Sequence, residues 1–213
     1  MRKYIVFDVD RTLVDSYMPE LLSLQEAIEV VTGKRISEED FKKLTTLPTM
    51  EFFKSLDLNS NEIGLINKKW EKTFSKYKTI CFKGLKETIK NLYENDYIIG
   101  IITSRTMEEY HELDEELSNI SYCFKSIITS EKIDNPKPNK DSMDKLCSEL
   151  HCSSEDVIYI GDSYIDKEFS KNSGVEFIPA CWENKELENE KNACLNSNDI
   201  LGIIDIINNT NRR

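Results

Sequence analysis

Apolar residues along this chain follow two rhythms. At the N-terminus, Tyr4 to Phe7 is an unbroken run of β-branched and aromatic residues that stops at Asp8. Such a run predicts a short strand of a parallel sheet, buried on both faces. The rhythm then changes: Leu21, Leu22, Leu24, Ala27, Ile28, Val30 and Val31 recur at helical spacing from Pro19 to Val31, and Gly33 supplies a stop. Ser37-Glu-Glu-Asp40 resembles a capping box opening a second helix. Thr49 is expected to cap a third helix through Phe52, Phe53 and Leu56, and Ser60 a fourth reaching Tyr77. Residues 17–81 therefore read as an all-helical block.

From Gly84 helix and strand alternate. Leu85 to Glu94 reads as helix, Tyr97 to Ile102 as an apolar strand, and Glu108 to Leu117 as helix again. Further strands are expected at Ile127-Ile128, Val157 to Ile160 and Val175 to Ile178, with helices at Asp141 to Leu150 and Ile165 to Asn172. This alternation implies an α/β domain built on a parallel sheet. The helical block splits that domain, so the predicted division is a core of residues 1–16 and 82–213 and an inserted domain of residues 17–81.

Charge narrows the function classes. The 213 residues carry a formal net charge of −11, and the overall field repels phosphate backbones and anionic lipid surfaces, arguing against a general nucleic-acid or membrane binder. Any phosphate ligand must be held by local cations. Only a few residues separate the basic start from Asp8, too few for the apolar core of a signal peptide, and no segment approaches a membrane span. The six cysteines show no C-x-x-C pair. They are expected to be reduced, mostly buried thiols of a cytoplasmic protein, with a structural zinc disfavoured.

Candidate chemistry gathers where the predicted strands end. Asp8-Val-Asp10-Arg-Thr12 follows the first strand, Thr103-Ser104 ends the strand at Ile99 to Ile102, and Gly161-Asp162-Ser-Tyr-Ile-Asp166 follows Val157 to Ile160. Lys137 sits between Pro136 and Pro138, which stiffen its loop. Ligands of open α/β sheets collect at the carboxyl ends of the strands, so acids, hydroxyls and one cation are expected to share one rim. Each has a plainer reading: Asp8 and Asp10 could serve a strand-end turn, Thr103 and Ser104 a helix N-cap before Met107 to Leu117. His111 and His151 show no ligand spacing.

Taken together, these motifs resemble those of the haloacid dehalogenase superfamily, in the branch whose helical C1 cap is inserted after the first motif. The resemblance runs from about Tyr4 to Trp182, with all four motifs in order. It implies a Rossmann-like parallel-sheet core with an all-helical cap domain. It further implies that Asp8 is the nucleophile, forming an aspartyl-phosphate, and that Asp10 protonates the leaving oxygen and later takes a proton from water. Thr103 and the Ser104 amide would bind the phosphoryl oxygens, and Lys137 would bridge nucleophile and phosphoryl group. Asp8, Asp162 and the backbone carbonyl of Asp10 would bind Mg²⁺, with Asp166 holding the site from behind or through water. By position in relatives, the cap specificity loop would include Thr45, Thr46 and Thr49.

Electrostatics supports that division of labour independently. A carboxylate approaching a dianionic phosphate monoester needs its repulsion cancelled, and Mg²⁺ prefers carboxylate oxygens, water and phosphate, which an Asp-rich rim without histidine offers. Lys137 supplies a second compensating charge.

The expectation is a Mg²⁺-dependent phosphatase, similar to phosphoglycolate phosphatases, acting on a small phosphorylated metabolite as a monomer or homodimer. A hexose-phosphate mutase or a pyrophosphatase of the same superfamily is the alternative, and a regulatory or scaffold relative is the non-enzymatic one. Asp10 argues against dehalogenation, whose enzymes lack it. The absence of lysine between Pro19 and Gly33 disfavours phosphonoacetaldehyde hydrolysis, which uses a cap lysine. Two departures stand out: Arg11 occupies a position where many relatives have glycine, and Lys140 one where proline is common.

Overall fold

The computed structural model of the chain describes residues 3–43, 47, 49–194 and 202–211. It divides into two compact units, residues 1–15 with 80–213, and residues 16–79.

The first unit is built on a parallel sheet of β1 (Tyr4–Phe7), β4 (Ile98–Ile102), β5 (Phe124–Ile128), β6 (Val157–Gly161) and β7 (Glu176–Pro179). Their order is β5-β4-β1-β6-β7, which puts the N-terminal strand in the middle. Tyr4 lies beside Ile98 on one side and Val157 on the other. Side chains alternate along these strands as the pleat demands. Ile5 and Phe7, with Ile99, Ile101, Ile158 and Ile160, enter one apolar layer, while Val6, Ile102, Val157 and Tyr159 enter the opposite one. Both faces are dry, so the strand runs carry no polar alternation.

Helices cover both faces. α5 (Leu85–Glu94) and α10 (Ile203–Asn211) bring Leu85, Ile89, Leu92, Ile203 and Ile207 to the first layer, and α8 (Asp141–Leu150) and α9 (Tyr164–Ser173) bring Met143, Leu146 and Phe169 to the second. Gly100 admits this packing. A Cβ there would lie 2.9 Å from Leu146 Cδ1, so a larger residue would make the Leu146 side chain shift.

The stretch expected as one helix from Glu108 to Leu117 is two short ones, α6 (Met107–His111) and α7 (Asp114–Leu117). Its N-cap is Thr106, not Thr103 or Ser104: Thr106 Oγ1 accepts from Glu109 N at 3.2 Å, and Glu109 Oε2 accepts from Thr106 N at 2.6 Å. Leu113 is buried where the two helices join, so continuous apolar spacing concealed a break. A small antiparallel pair, β2 (Val14–Asp15) with β3 (Ile80–Cys81), ties together the places where the chain leaves this unit and returns. Two-residue strands leave no readable sequence signal, whereas α10 had one that was overlooked, the helical spacing of Ile203, Ile206 and Ile207.

The second unit is helical: α1 (Tyr17–Thr32), α2 (Glu38–Lys42), α3 (Thr49–Ser55) and α4 (Ser60–Phe74). α1 ends at Gly33, whose φ of 70° is the left-handed stop that glycine accepts without strain. Ser37 and Asp40 form the expected capping box. The cap of α4 differs from expectation: Asn59, not Ser60, accepts from Asn61 N and Glu62 N, and the helix ends at Phe74 rather than Tyr77. Asn and Ser are equally good caps, so adjacent candidates are hard to separate by type. Leu24, Ile28, Phe41, Phe52, Phe53 and Ile66 form this unit's own core. Trp70 stacks edge-on against Phe53 and donates to Ser23 Oγ at 2.9 Å, giving its indole N–H a buried partner.

Candidate active site

The carboxyl ends of β1, β4 and β6 present the candidate residues at one rim of the sheet. β1 delivers Asp8, whose N–H donates to Ile160 O at 2.9 Å, so the central strand fixes its backbone. The chain then folds back on itself, with Leu13 N and Val14 N both donating to Val9 O and Arg11 N donating to Val14 O at 2.8 Å. Asp10 is thereby carried beside Asp8 rather than away along a strand.

Lys137 is the hub. Its Nζ lies 2.7 Å from Asp8 Oδ1, 2.8 Å from Asp166 Oδ1 and 3.1 Å from Tyr159 Oη. All three ammonium donors are used, and the side chain is buried. Asp166 sits one turn into α9 and receives more than this: Ser163 N and Oγ donate to its Oδ2 at 3.2 and 2.6 Å, and Tyr159 Oη donates to Oδ1 at 2.9 Å. Gly161 makes the arrangement possible, because a Cβ there would fall 2.6 Å from Asp166 Cγ.

Two buried acids thus share one ammonium, and their other partners decide which keeps its charge. Burial pushes both carboxyls up. For Asp166 the Lys137 charge and the bonds from Lys137, Ser163 and Tyr159 outweigh burial and hold it below the usual carboxylate range. For Asp8, burial outweighs Lys137, and the nearby Asp166 and Asp10 add to it, so its carboxyl is pushed up to about 7. Burial opposes the charge on Lys137 too, but Asp166 and Asp8 hold its ammonium well above the ordinary value. Asp8 is the adjustable member of this set. Its Oδ1 is held by Lys137, and its Oδ2 accepts from no protein donor among the described residues.

Asp10 has a different partner. Arg105 Nε lies 2.9 Å from Asp10 Oδ2 and Nη2 2.6 Å from Oδ1, a two-pronged clamp, while Nη1 donates to Glu109 O at 3.1 Å. Thr103 is buried, its Oγ1 accepting from Arg105 N at 3.1 Å, whereas Ser104 is exposed. Asp162, at the end of β6, is buried, with its Oδ2 3.5 Å from Arg11 Nε.

Asp8, Asp162 and Asp166 each offer an oxygen within 4.8 Å of the others. The donor set is entirely carboxylate, with no imidazole or thiolate, and suits a hard divalent cation. Asp166 is already filled by Lys137, Tyr159 and Ser163, which leaves Asp8 and Asp162 as the carboxylates suited to coordinate. Of the residues expected in the specificity loop, Thr45 and Thr46 lie outside the described residues, and Thr49 begins α3. His111 and His151 are both exposed. None of the six cysteines, all among the described residues, is in a disulfide; three are buried and three partly exposed, rather than mostly buried.

Sequence reasoning missed Arg105, Tyr159 and Ser163. Ser163 was legible, since Ser-x-x-Asp before a helix is a capping signature and it fixes Asp166. Arg105 was visible only as a cation following two strand-end hydroxyls, and nothing local ties it to Asp10, 95 residues away.

A model of the haloacid dehalogenase-like hydrolase family matches residues 5–180. Among individual proteins, the chain is similar to the pyrophosphatase PpaX of Bacillus velezensis, with 24% identity over 184 residues covering 84% of this chain and 82% of that one. The solved structure of a hydrolase from Pseudomonas syringae matches with a TM-score of 0.82 at 17% identity, covering 95% of this chain and 98% of the other. A predicted phosphoglycolate phosphatase from Haemophilus somnus matches with a TM-score of 0.75 at 18% identity, covering 95% and 97% of the two chains.

Proposed function

Because this chain belongs to the haloacid dehalogenase-like hydrolases, we propose that it is a Mg²⁺-dependent phosphatase acting on a small phosphorylated metabolite through an aspartyl-phosphate on Asp8. The observation that carries this reading is the asymmetry of Asp8, with Oδ1 held by Lys137 at 2.7 Å and Oδ2 clear of protein donors among the described residues. A carboxylate oriented by one oxygen and open at the other is arranged to attack.

In the first half-reaction, Asp8 Oδ2 forms a bond to phosphorus, the bond from phosphorus to the leaving oxygen breaks, and Asp10 gives that oxygen a proton. In the second, Asp10 takes a proton from water, the water oxygen attacks phosphorus, and the bond to Asp8 breaks to release inorganic phosphate. Asp10 faces Arg105 as an ionised acid would, so its turn as proton donor requires that clamp to loosen. Thr103 Oγ1, already accepting from Arg105 N, retains its own proton for a phosphoryl oxygen. Lys137 neutralises charge on the oxygens flanking phosphorus.

Mg²⁺ would be held by Asp8 and Asp162 with the Asp10 carbonyl, and when bound it supplies charge compensation between the nucleophile and the phosphate. We assign residues 17–81 the role of cap, with Thr45, Thr46 and Thr49, the last at the start of α3, in the selection of substrate. The expected setting is cytoplasmic; no helix among the described residues is long and apolar enough to cross a membrane.

The PpaX likeness makes pyrophosphate the first substrate to try. The test is phosphate release from pyrophosphate and a panel of sugar, glycolate and nucleotide monoesters, with and without Mg²⁺. Turnover of at least one compound, abolished by chelation, is expected. A silent panel would sink the proposal.

A further inference from the structure

Each carboxylate of the site faces a cation. Asp8 and Asp166 face Lys137, Asp10 faces Arg105, and Asp162 faces Arg11. Of these cations Arg11 is the least expected, because its backbone φ is 57°, in the left-handed region that a long side chain rarely adopts. The turn imposes that conformation through the Asp10–Val14 bridge and the bond from Arg11 N to Val14 O. Local preference at this position favours glycine or asparagine. The residue present instead has a side chain only 11% exposed, and its charge is directed to Asp162, itself 2% exposed.

The contact is also looser than its neighbours. Arg11 Nε stands 3.5 Å from Asp162 Oδ2, against 2.7 Å for Lys137 to Asp8 and 2.6 Å for Arg105 to Asp10. At that separation the interaction is coulombic rather than a directed hydrogen bond. A second cation drawn to the same oxygen meets repulsion from the guanidinium and competes with it.

We propose that Arg11 is a tethered counter-cation that sets the affinity of the site for its divalent metal. With the metal absent, it keeps Asp162 compensated. When the metal binds, it must cede that oxygen, so this chain binds the cation more weakly than the same site without a charge at position 11. The inference rests on the metal reading above and adds a residue outside the ligand set.

Isothermal titration with Mg²⁺ alone, without substrate, tests it on the wild type, Arg11→Gly and Arg11→Asn. Both replacements tolerate positive φ, and either alone suffices if the other fails to fold. Removing a unit charge a few Å from the metal, at an effective dielectric constant of about 20, is expected to tighten binding by at least about tenfold. Arg11→Lys, which keeps the charge, should stay near the wild type. Wild-type binding with equal or weaker affinity in the Gly and Asn variants overturns the role of Arg11 while leaving the metal reading intact. Absence of Mg²⁺ binding in all forms overturns both.

Discussion

Arg105 grips Asp10 with two nitrogens, at 2.9 and 2.6 Å, and is itself anchored to the carbonyl of Glu109. The guanidinium side is almost wholly buried and the carboxylate a quarter exposed. The acid proposed for proton transfer is therefore held in one orientation by a residue from a different strand end.

A double-mutant cycle on Asp10→Asn and Arg105→Met, followed by denaturant unfolding, should return a coupling of about 2 kcal/mol. Fully buried charge pairs lie above that figure and exposed ones near zero, and partial exposure of Asp10 puts this pair between them. Additive single effects would show that the clamp contributes nothing to holding Asp10.

Lys137→Ala removes the only cation bonded to both Asp8 and Asp166 among the described residues. Two buried acids are then left facing each other, and the variant should lose about 3–5 kcal/mol at pH 8. The sign of its pH dependence follows from Asp8. Already pushed up to about 7 from an ordinary value of 3.8 with lysine present, this carboxyl takes up a proton on folding throughout that window. Its contribution to stability is largest at low pH and falls as pH rises through about 7. Loss of the ammonium exaggerates the effect. Thermal unfolding at pH 5.5 and pH 8 should show the deficit of Lys137→Ala shrinking at the lower pH, and a deficit independent of pH would contradict it.

Gly161→Ala places a methyl group 2.6 Å from Asp166 Cγ, and neither the strand nor the first turn of α9 can yield cheaply. A cost of about 1–3 kcal/mol is expected from such overpacking. Because Asp166 positions Lys137, phosphate release should fall more than folding does, measured by comparing kcat with the unfolding midpoint. Full activity in a destabilised protein would detach Gly161 from the site.

Much of this was legible in the sequence because buried strands and strand-end chemistry are local signals. Tyr4 to Phe7 had to be an inner strand, being apolar without alternation, and Asp8, Lys137 and Asp162 were placed by the motifs that follow each strand. The capping of Asp166 by Ser163 was readable but overlooked. The break at Leu113, the choice of Asn59 over Ser60 and the shift of the cap to Thr106 depended on which of several equivalent local solutions the packing selected. Arg105 became visible only in three dimensions because Asp10 lies 95 residues away, and Tyr159 because an aromatic in an inner strand reads as core until its hydroxyl is seen to reach Lys137 and Asp166. Arg11 was noticed as a departure, but its reason lay in a φ angle and a distance.

The central claim is that Asp8 carries the phosphoryl group. The most direct measurement is acid quenching during steady-state turnover of an active substrate, followed by peptide mass analysis of the wild type and Asp8→Asn. The account predicts a hydroxylamine-sensitive phosphoryl adduct on the peptide containing Asp8, and in Asp8→Asn neither adduct nor turnover. Turnover that persists in Asp8→Asn, or an adduct mapped to another residue, would contradict it.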